Sequence, residues 1–217
     1  MSGMRCYRYG DHAVVLAAQG PPSLACQQRL WTLAERVRTW PQVEDVVPGM
    51  NNLTLICRPL RMAFDELTHR LRAAWMDAEA EALSGREVDI PVDYGGEHGP
   101  DLEEVARLTG LTAGEVVSRH AGGDYVVFFL GFLPGFAYLG GLDPRLHVPR
   151  RATPRLSVPA GSVGIGGAQT GIYPLAAPGG WQLIGRTCEV LFDPTRTPPT
   201  LLAPGDRVRF RIASVRP

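Results

Sequence analysis

The sequence predicts a small α+β domain over residues 1–84, followed by a mainly-β domain, barrel or sandwich, over residues 85–217. Three observations carry that reading. Amphipathic helical spacing is confined to the first 121 residues, with two long periodic stretches before residue 84. A Ser84-Gly85 break then separates two differently patterned halves. From Asp124 onward short apolar runs alternate with glycine and proline, and most of the 25 glycines and 19 prolines lie in the second half.

Taken in order, residues 5–18 read as two short strands around a Gly10-Asp11 turn, "HAVVLAA" forming the second. Ser23 is placed to cap a helix whose apolar residues Leu24, Leu30, Leu33, Ala34 and Val37 recur at helical spacing, and Trp40-Pro41 ends it. "VEDVVPG" and "NLTLICR" are strands joined by a loop at Pro48–Asn51. A second helix is expected over residues 63–83, with Leu67, Leu71 and Trp75 on one face. Beyond the break, "REVDIPVDYGGEHGPDL" is a strand and an acidic, glycine-rich loop. Asp101 to Glu104 and Thr112 to Glu115 each fit the capping-box pattern, starting the short helices "LEEVARLTG" and "AGEVVSRHAGG". "YVVFFLGF", "GWQLIG", "CEVLFD" and "RVRFRIA" are the strands expected in the remainder.

Composition excludes several functions. The formal net charge is zero, which argues against nucleic-acid binding by phosphate neutralisation. All 22 basic residues are arginine, so neither a Walker A loop nor a lysine Schiff base can form. Four scattered cysteines give neither a zinc cluster nor a compact disulfide framework, and the five histidines lack metal-ligand spacing. The N-terminus has no signal-peptide pattern and no apolar run approaches the ~20 residues of a membrane helix, so the expected location is cytoplasmic, with no membrane association.

Two segments have the chemistry of a site. In "FFLGFLPGFAYLGGL", residues 128–142, an apolar strand runs into a turn where aromatics stand among glycines, as in the walls of a small-molecule pocket. In residues 147–181 Arg150, Arg151 and Arg155 cluster, a pattern suited to carboxylate or phosphate. Ser162, Gln169, Thr170 and Tyr173 follow on a glycine-rich stretch whose amides could bind an anion. The expected face gathers Tyr138, Arg155 and Tyr173; Arg186, between two strands, is either an interior ion-pair member or a ligand contact. His120 closes a short helix, where it either meets the helix dipole or carries protons for a pocket. Ala160-Gly-Ser162-Val-Gly164 is not a nucleophile elbow, because "GIGGAQTGIYP" cannot supply the helix that must follow.

The stretches "GFLPGFAYLGGLDPRL", "PRRATPRLSVPAGSVGIGGAQTGIYPLAAPGGWQLIGRT" and "LFDP", with "YGDHAVVL", "VVPGMNNLTL" and "LLAPGDRVRF", closely resemble the KipI/PxpB family, also called allophanate hydrolase subunit 1-like. The resemblance spans nearly the whole chain. It implies a cyclophilin-like barrel as the second domain, and a role as the B subunit of a bacterial ATP-dependent 5-oxoprolinase that opens 5-oxo-L-proline to L-glutamate. The implied partners are the C subunit (KipA-like) and the A subunit (LamB/YcsF-like), with ATP used by the complex, a small anionic substrate, and no metal or organic cofactor in this chain. Under that reading His120 and Arg155 are the catalytic candidates, and Tyr138, Arg150, Ser162, Gln169, Thr170, Tyr173 and Arg186 bind substrate. Ala121, Cys188 and Asn52 depart from the family pattern, and Ala121 removes a hydroxyl beside His120. The alternative reading is a protein inhibitor of a sensor histidine kinase, with "FLPGFAYLGG" as its docking surface; a stand-alone allophanate hydrolase lacks the lysine of an amidase-type Ser-Lys signature.

Overall fold

The computed structural model describes residues 3–57, 64–81 and 83–216 and divides into two compact units, residues 1–83 and 84–217. In the first, β1 (Met4–Tyr9), β2 (Ala13–Ala18), β3 (Val43–Gly49) and β4 (Asn52–Cys57) form an antiparallel sheet in the order β1-β2-β4-β3. Helices α1 (Leu24–Arg38) and α2 (Phe64–Asp77) belong to the same unit. The periodicity that predicts them is the one they bury: Leu30 and Leu33 of α1 and Leu67 and Leu71 of α2 are fully enclosed with Leu16, Leu53 and Leu55 of the sheet. The Ser23 hydroxyl caps α1 by accepting the Cys26 N–H at 3.2 Å.

Helix α2 ends at Asp77, well before the expected residue 83. There Arg29, reaching across from α1, donates through Nε to the Trp75 carbonyl at 3.1 Å, and its guanidinium lies 4.1 Å from the Trp75 ring centroid. An arginine on the terminal carbonyls stabilises the negative end of the helix, and residues 78–81 continue without helical structure. Residues 63 and 82 lie outside the described residues.

The second unit is a closed barrel of seven strands in the order β10-β7-β6-β13-β5-β12-β9. Its strands are β5 (Glu87–Gly95), β6 (Tyr125–Leu130), β7 (Ala137–Gly140), β9 (Ser162–Gly166), β10 (Gln169–Ile172), β12 (Gln182–Arg186) and β13 (Arg207–Arg216). Strands β5 and β13 run parallel, and the other neighbours are antiparallel. Strands β8 (Arg155–Val158) and β11 (Ala177–Gly179) form a separate ribbon. Closure leaves no free sheet edge, which is how small β domains avoid edge pairing.

Between β5 and β6 stand α3 (Leu102–Thr109) and α4 (Ala113–Ala121). Thr112 makes the full capping box expected of it: Glu115 accepts the Thr112 N–H at 2.8 Å and Thr112 Oγ1 accepts the Glu115 N–H at 3.2 Å. Asp101 makes no such cap, and Glu104 turns to Arg107 instead. "CEVLFD" forms no strand: its β-pairing is one isolated bridge, Phe192 to Thr200. Of this apolar run Leu191 alone is buried, and the prolines at 194, 198 and 199 turn the chain back before a ladder can build.

His120 sits in this barrel core with no exposed surface, ringed by Tyr94, Tyr125 and Phe210. Thr170 Oγ1 donates its single proton to the Gly164 carbonyl at 3.0 Å, so it must accept from His120 Nε2–H at 2.8 Å. Nδ1 is then the acceptor for the Tyr94 hydroxyl at 2.8 Å. Both ring nitrogens are satisfied while the imidazole is neutral, and burial pushes its pKa down to about 3. This places His120 and Thr170 in the interior of the barrel with no exposed surface. The hydrogen bonds their side chains make are to each other, to Tyr94 and to Gly164, and not to the lining of the aromatic cavity around Phe136 and Trp181.

The same burial sets a pH dependence. Below the ordinary value near 6.5 the unfolded chain takes up a proton that the folded chain refuses until about 3. Stability from this group is therefore complete above pH 6.5 and falls as pH drops, by up to about 1.4 kcal/mol per pH unit. Urea unfolding at a series of pH values should show this slope, and His120→Gln should flatten it.

Candidate functional site

A second, smaller apolar cluster lies outside the barrel core and is built from Phe136, Val158, Tyr173, Trp181 and Leu183. Its residues come from the turn after β6, the end of β10, the ribbon and the start of β12. Phe136, Tyr173 and Trp181 of this cluster wall a cavity of about 250 Å³, lined also by Phe132, Tyr138 and Arg150. This lies below the ~300–1,000 Å³ of sites for drug-sized ligands, so the occupant it fits is a small metabolite.

The turn is closed by backbone bonds, Leu133 N–H to the Gly131 carbonyl at 2.8 Å and Phe136 N–H to the Leu133 carbonyl at 3.0 Å. Gly135 has φ +80°, and a Cβ there would meet Phe192 Cβ at 2.9 Å, so the position admits glycine alone. Phe132 adopts φ +68° without being glycine and keeps 59% of its surface exposed. A bulky residue held in the left-handed region stores strain of about 1–2 kcal/mol and marks a position with another purpose. Its ring stands edge-on to Phe136 at 5.5 Å and to Tyr173 at 6.3 Å, over the cavity.

The opposite wall needs glycine for a different reason. A Cβ on Gly179 would fall 2.4 Å from the Tyr173 hydroxyl oxygen, so the ribbon can pass that close only without a side chain. Tyr138 is held by stacking on Phe129 at 4.4 Å. Burial pushes the Tyr138 and Tyr173 phenols up, Arg150 partly opposing this at both, so each stays a neutral hydrogen-bond donor near pH 7. Arg150 itself is exposed, its guanidinium 5.9 Å from the Trp181 ring centroid.

The other two arginines of the cluster are committed. Asp101, 3% exposed, takes Arg155 Nη1 on Oδ2 and Arg155 Nη2 on Oδ1, both at 2.8 Å. Arg151 Nη1 donates to Oδ1 at 2.8 Å and the Leu183 N–H to Oδ2 at 2.7 Å. Arg155, expected to be catalytic, thus spends its fork on a buried carboxylate and braces the ribbon instead.

Of the expected binding residues, Tyr138, Arg150 and Tyr173 come together at the cavity. Ser162 is buried at the start of β9, Gln169 pairs with Gly166 on β10, and Arg186 donates to the Ala160 carbonyl at 3.0 Å from an exposed position; none of the three lines it. Phe132, Phe136, Trp181 and Asp101 were missed. The aromatic-among-glycine pattern pointed to the turn without saying which ring faces inward, and Asp101 sits 82 residues from its β12 partner. Among the described residues no three His, Cys, Asp or Glu side chains converge as a metal site, and no helix is long and apolar enough to cross a membrane.

Two measurements check this construction. Asp101→Asn should cost about 3–5 kcal/mol in urea unfolding, because it leaves two arginines facing a lost charge; a cost under about 1 kcal/mol would remove its central place. Phe132→Gly should relieve the left-handed strain and raise stability by about 1 kcal/mol, a gain that shows the ring is kept for something other than folding.

The fold has counterparts. The family model for the carboxyltransferase domain, subdomain C and D, matches residues 4–202. A protein named as the B subunit of 5-oxoprolinase, from Escherichia coli O157:H7, is 56% identical over 211 residues, covering 97% of this chain and 96% of that protein. The crystal structure of TTHA0988 is 40% identical with a TM-score of 0.77; it matches 94% of this chain, which spans 40% of that one. The Kluyveromyces lactis urea amidolyase superposes with a TM-score of 0.85 over 98% of this chain and 15% of its own, at 20% identity, a likeness of fold alone. With the family model spanning both units and a near full-length relative at this identity, the chain belongs to the family of the carboxyltransferase domain, subdomain C and D.

Proposed function

We propose that this chain acts as the B subunit of a multisubunit 5-oxoprolinase, which opens 5-oxo-L-proline to L-glutamate with ATP. It would work with the KipA-like and LamB/YcsF-like subunits and have no complete activity alone. The observation that carries the reading is the 56% identity, over nearly the full length of both chains, to the E. coli protein of that name. The cavity suits the substrate. A five-membered lactam has two apolar ring faces, one carboxylate and one amide. Phe136 and Trp181 offer apolar walls for the ring, and Arg150 is a guanidinium in the lining for the carboxylate. The Tyr138 and Tyr173 phenols are donors for the lactam carbonyl, whose oxygen gains negative charge as the ring is activated.

Lactam opening is uphill without activation, and phosphorylation of the amide oxygen makes the carbonyl carbon open to water. A chain with 22 arginines and no lysine has no Walker A loop for the triphosphate, so the nucleotide is handled by a different polypeptide of the complex in this reading. What this chain contributes is holding the ring away from bulk water and fixing its orientation. Purified chain mixed with its KipA-like and LamB/YcsF-like partners, ATP and 5-oxo-L-proline should release L-glutamate, and omission of the chain should abolish release. Arg150→Ala should raise KM by about 10–100-fold, the value of a charge-assisted contact, with thermal unfolding unchanged. Normal KM in that variant would remove Arg150 from the carboxylate.

A further inference from the structure

Arg150 faces two cavities. Beside the aromatic one lies a second cavity of about 480 Å³, where Glu104, Arg150, Arg151, Thr153 and Gln182 stand with Leu108, Pro149 and Ala152, so that charged and polar groups interrupt an otherwise apolar lining. Its groups have an unusual mixture of signs. Arg150 carries no carboxylate partner among the described residues, and Arg151 spends only Nη1 on Asp101, so guanidinium groups of both residues line the cavity. Two acceptors stand among them. Gln182 is 5% exposed and its Nε2 donates to the Pro149 carbonyl at 3.3 Å, which fixes the amide orientation. Its Oε1 has no hydrogen-bond partner and is buried behind the cavity lining, a polar atom the fold leaves unsatisfied. Glu104, held by Arg107 at 2.7 and 2.8 Å, presents a carboxylate whose remaining lone pairs face no further donor.

A pure anion such as phosphate meets Glu104 and the Gln182 oxygen with the wrong sign. A cation meets two arginines. A zwitterion meets both sets correctly: a carboxylate for Arg150 and Arg151, an ammonium for Glu104 and, behind the lining, Gln182 Oε1. We infer that this second cavity is a subsite for an α-amino acid, and, resting on the function proposed above, that it receives L-glutamate as the ring opens. The chemistry supports such a hand-over. Hydrolysis of the lactam C–N bond adds water across it, giving a new carboxylate and an amine that protonates at neutral pH. Both are costly inside an aromatic cavity, and both suit the charged groups of the second one. Arg150 lines the two cavities, so it can keep the original carboxylate while the rest of the molecule changes sides.

The test is calorimetric titration of the full chain with L-glutamate, with glutarate, which keeps both carboxylates and lacks the amine, and with 5-oxo-L-proline. L-Glutamate should bind at least about tenfold more tightly than glutarate, as expected for one charge-assisted hydrogen bond. Gln182→Leu and Glu104→Gln should each narrow that gap; Glu104 lies exposed on α3, so its variant keeps the fold even if the buried one does not. Equal binding of glutarate, no binding of L-glutamate, or an unchanged gap in both variants overturns the subsite. Phe132→Ala should weaken 5-oxo-L-proline and leave L-glutamate unaffected. If 5-oxo-L-proline fails to bind while L-glutamate binds with this preference, the ring assignment falls and the amino-acid subsite stands.

Discussion

The arrangement around the cavities depends on one buried carboxylate. Asp101 lies at the head of α3, and its two oxygens tie that helix to the start of β12 through the Leu183 N–H and to the segment of residues 151–155 through two guanidinium groups. Its own N–H returns to the Leu183 carbonyl at 2.9 Å, so the helix and strand are stitched in both directions. Burying a charge is costly, and the geometry that offsets it here is a bidentate fork plus a second arginine plus a backbone donor. The consequence is positional: Trp181 and Gln182, which immediately precede Leu183, face two different cavities from a fixed stem.

The barrel and the cavity are separate pieces of packing with separate tasks. In the barrel, Tyr94, His120, Thr170 and Gly164 form a hydrogen-bonded chain in which every proton is accounted for, and the aromatic rings of Tyr125 and Phe210 close around it. Such a network is stable because it is complete and neutral. The cavity cluster has the opposite character. It keeps a strained, exposed phenylalanine that costs stability, with two phenols at a void and an exposed cation that folding alone does not require. Uncompensated features of this kind collect where a protein meets a ligand.

The parts legible in the sequence were those decided by neighbours along the chain. Ser23 and Thr112 cap because the amides they reach are three residues away, and the leucines of α1 and α2 repeat at a spacing that local geometry imposes. The Asp101 pattern shows where local reasoning ends. Its Asp-x-x-Glu spacing is as good as that at Thr112, yet arginines 50 and 54 residues away and an amide 82 residues away take the carboxylate first, and Glu104 has Arg107 within one turn. His120 was ambiguous for the same reason: a helix-end histidine looks alike whether it meets solvent, a pocket or, as here, a barrel interior assembled from four strands. "CEVLFD" carried the apolar run of a strand without a partner strand in register to accept it.

Why Arg150 is the arginine left free follows from the capacity of the carboxylate. An ionised carboxylate offers about four acceptor directions. Asp101 fills them with Arg155 twice, Arg151 once and the Leu183 amide once. A third guanidinium finds no vacancy there, and Glu104, the carboxylate in the lining of the second cavity, is closed from one edge by Arg107. Arg150 is left with a weak cation–π contact to Trp181 and an exposed charge between two cavities. Three arginines within six positions are therefore not one anion clamp. Arg155 is consumed by a single buried charge and Arg151 is anchored to it through one nitrogen, and their saturation of that carboxylate is what leaves Arg150 without a carboxylate for its charge among the described residues.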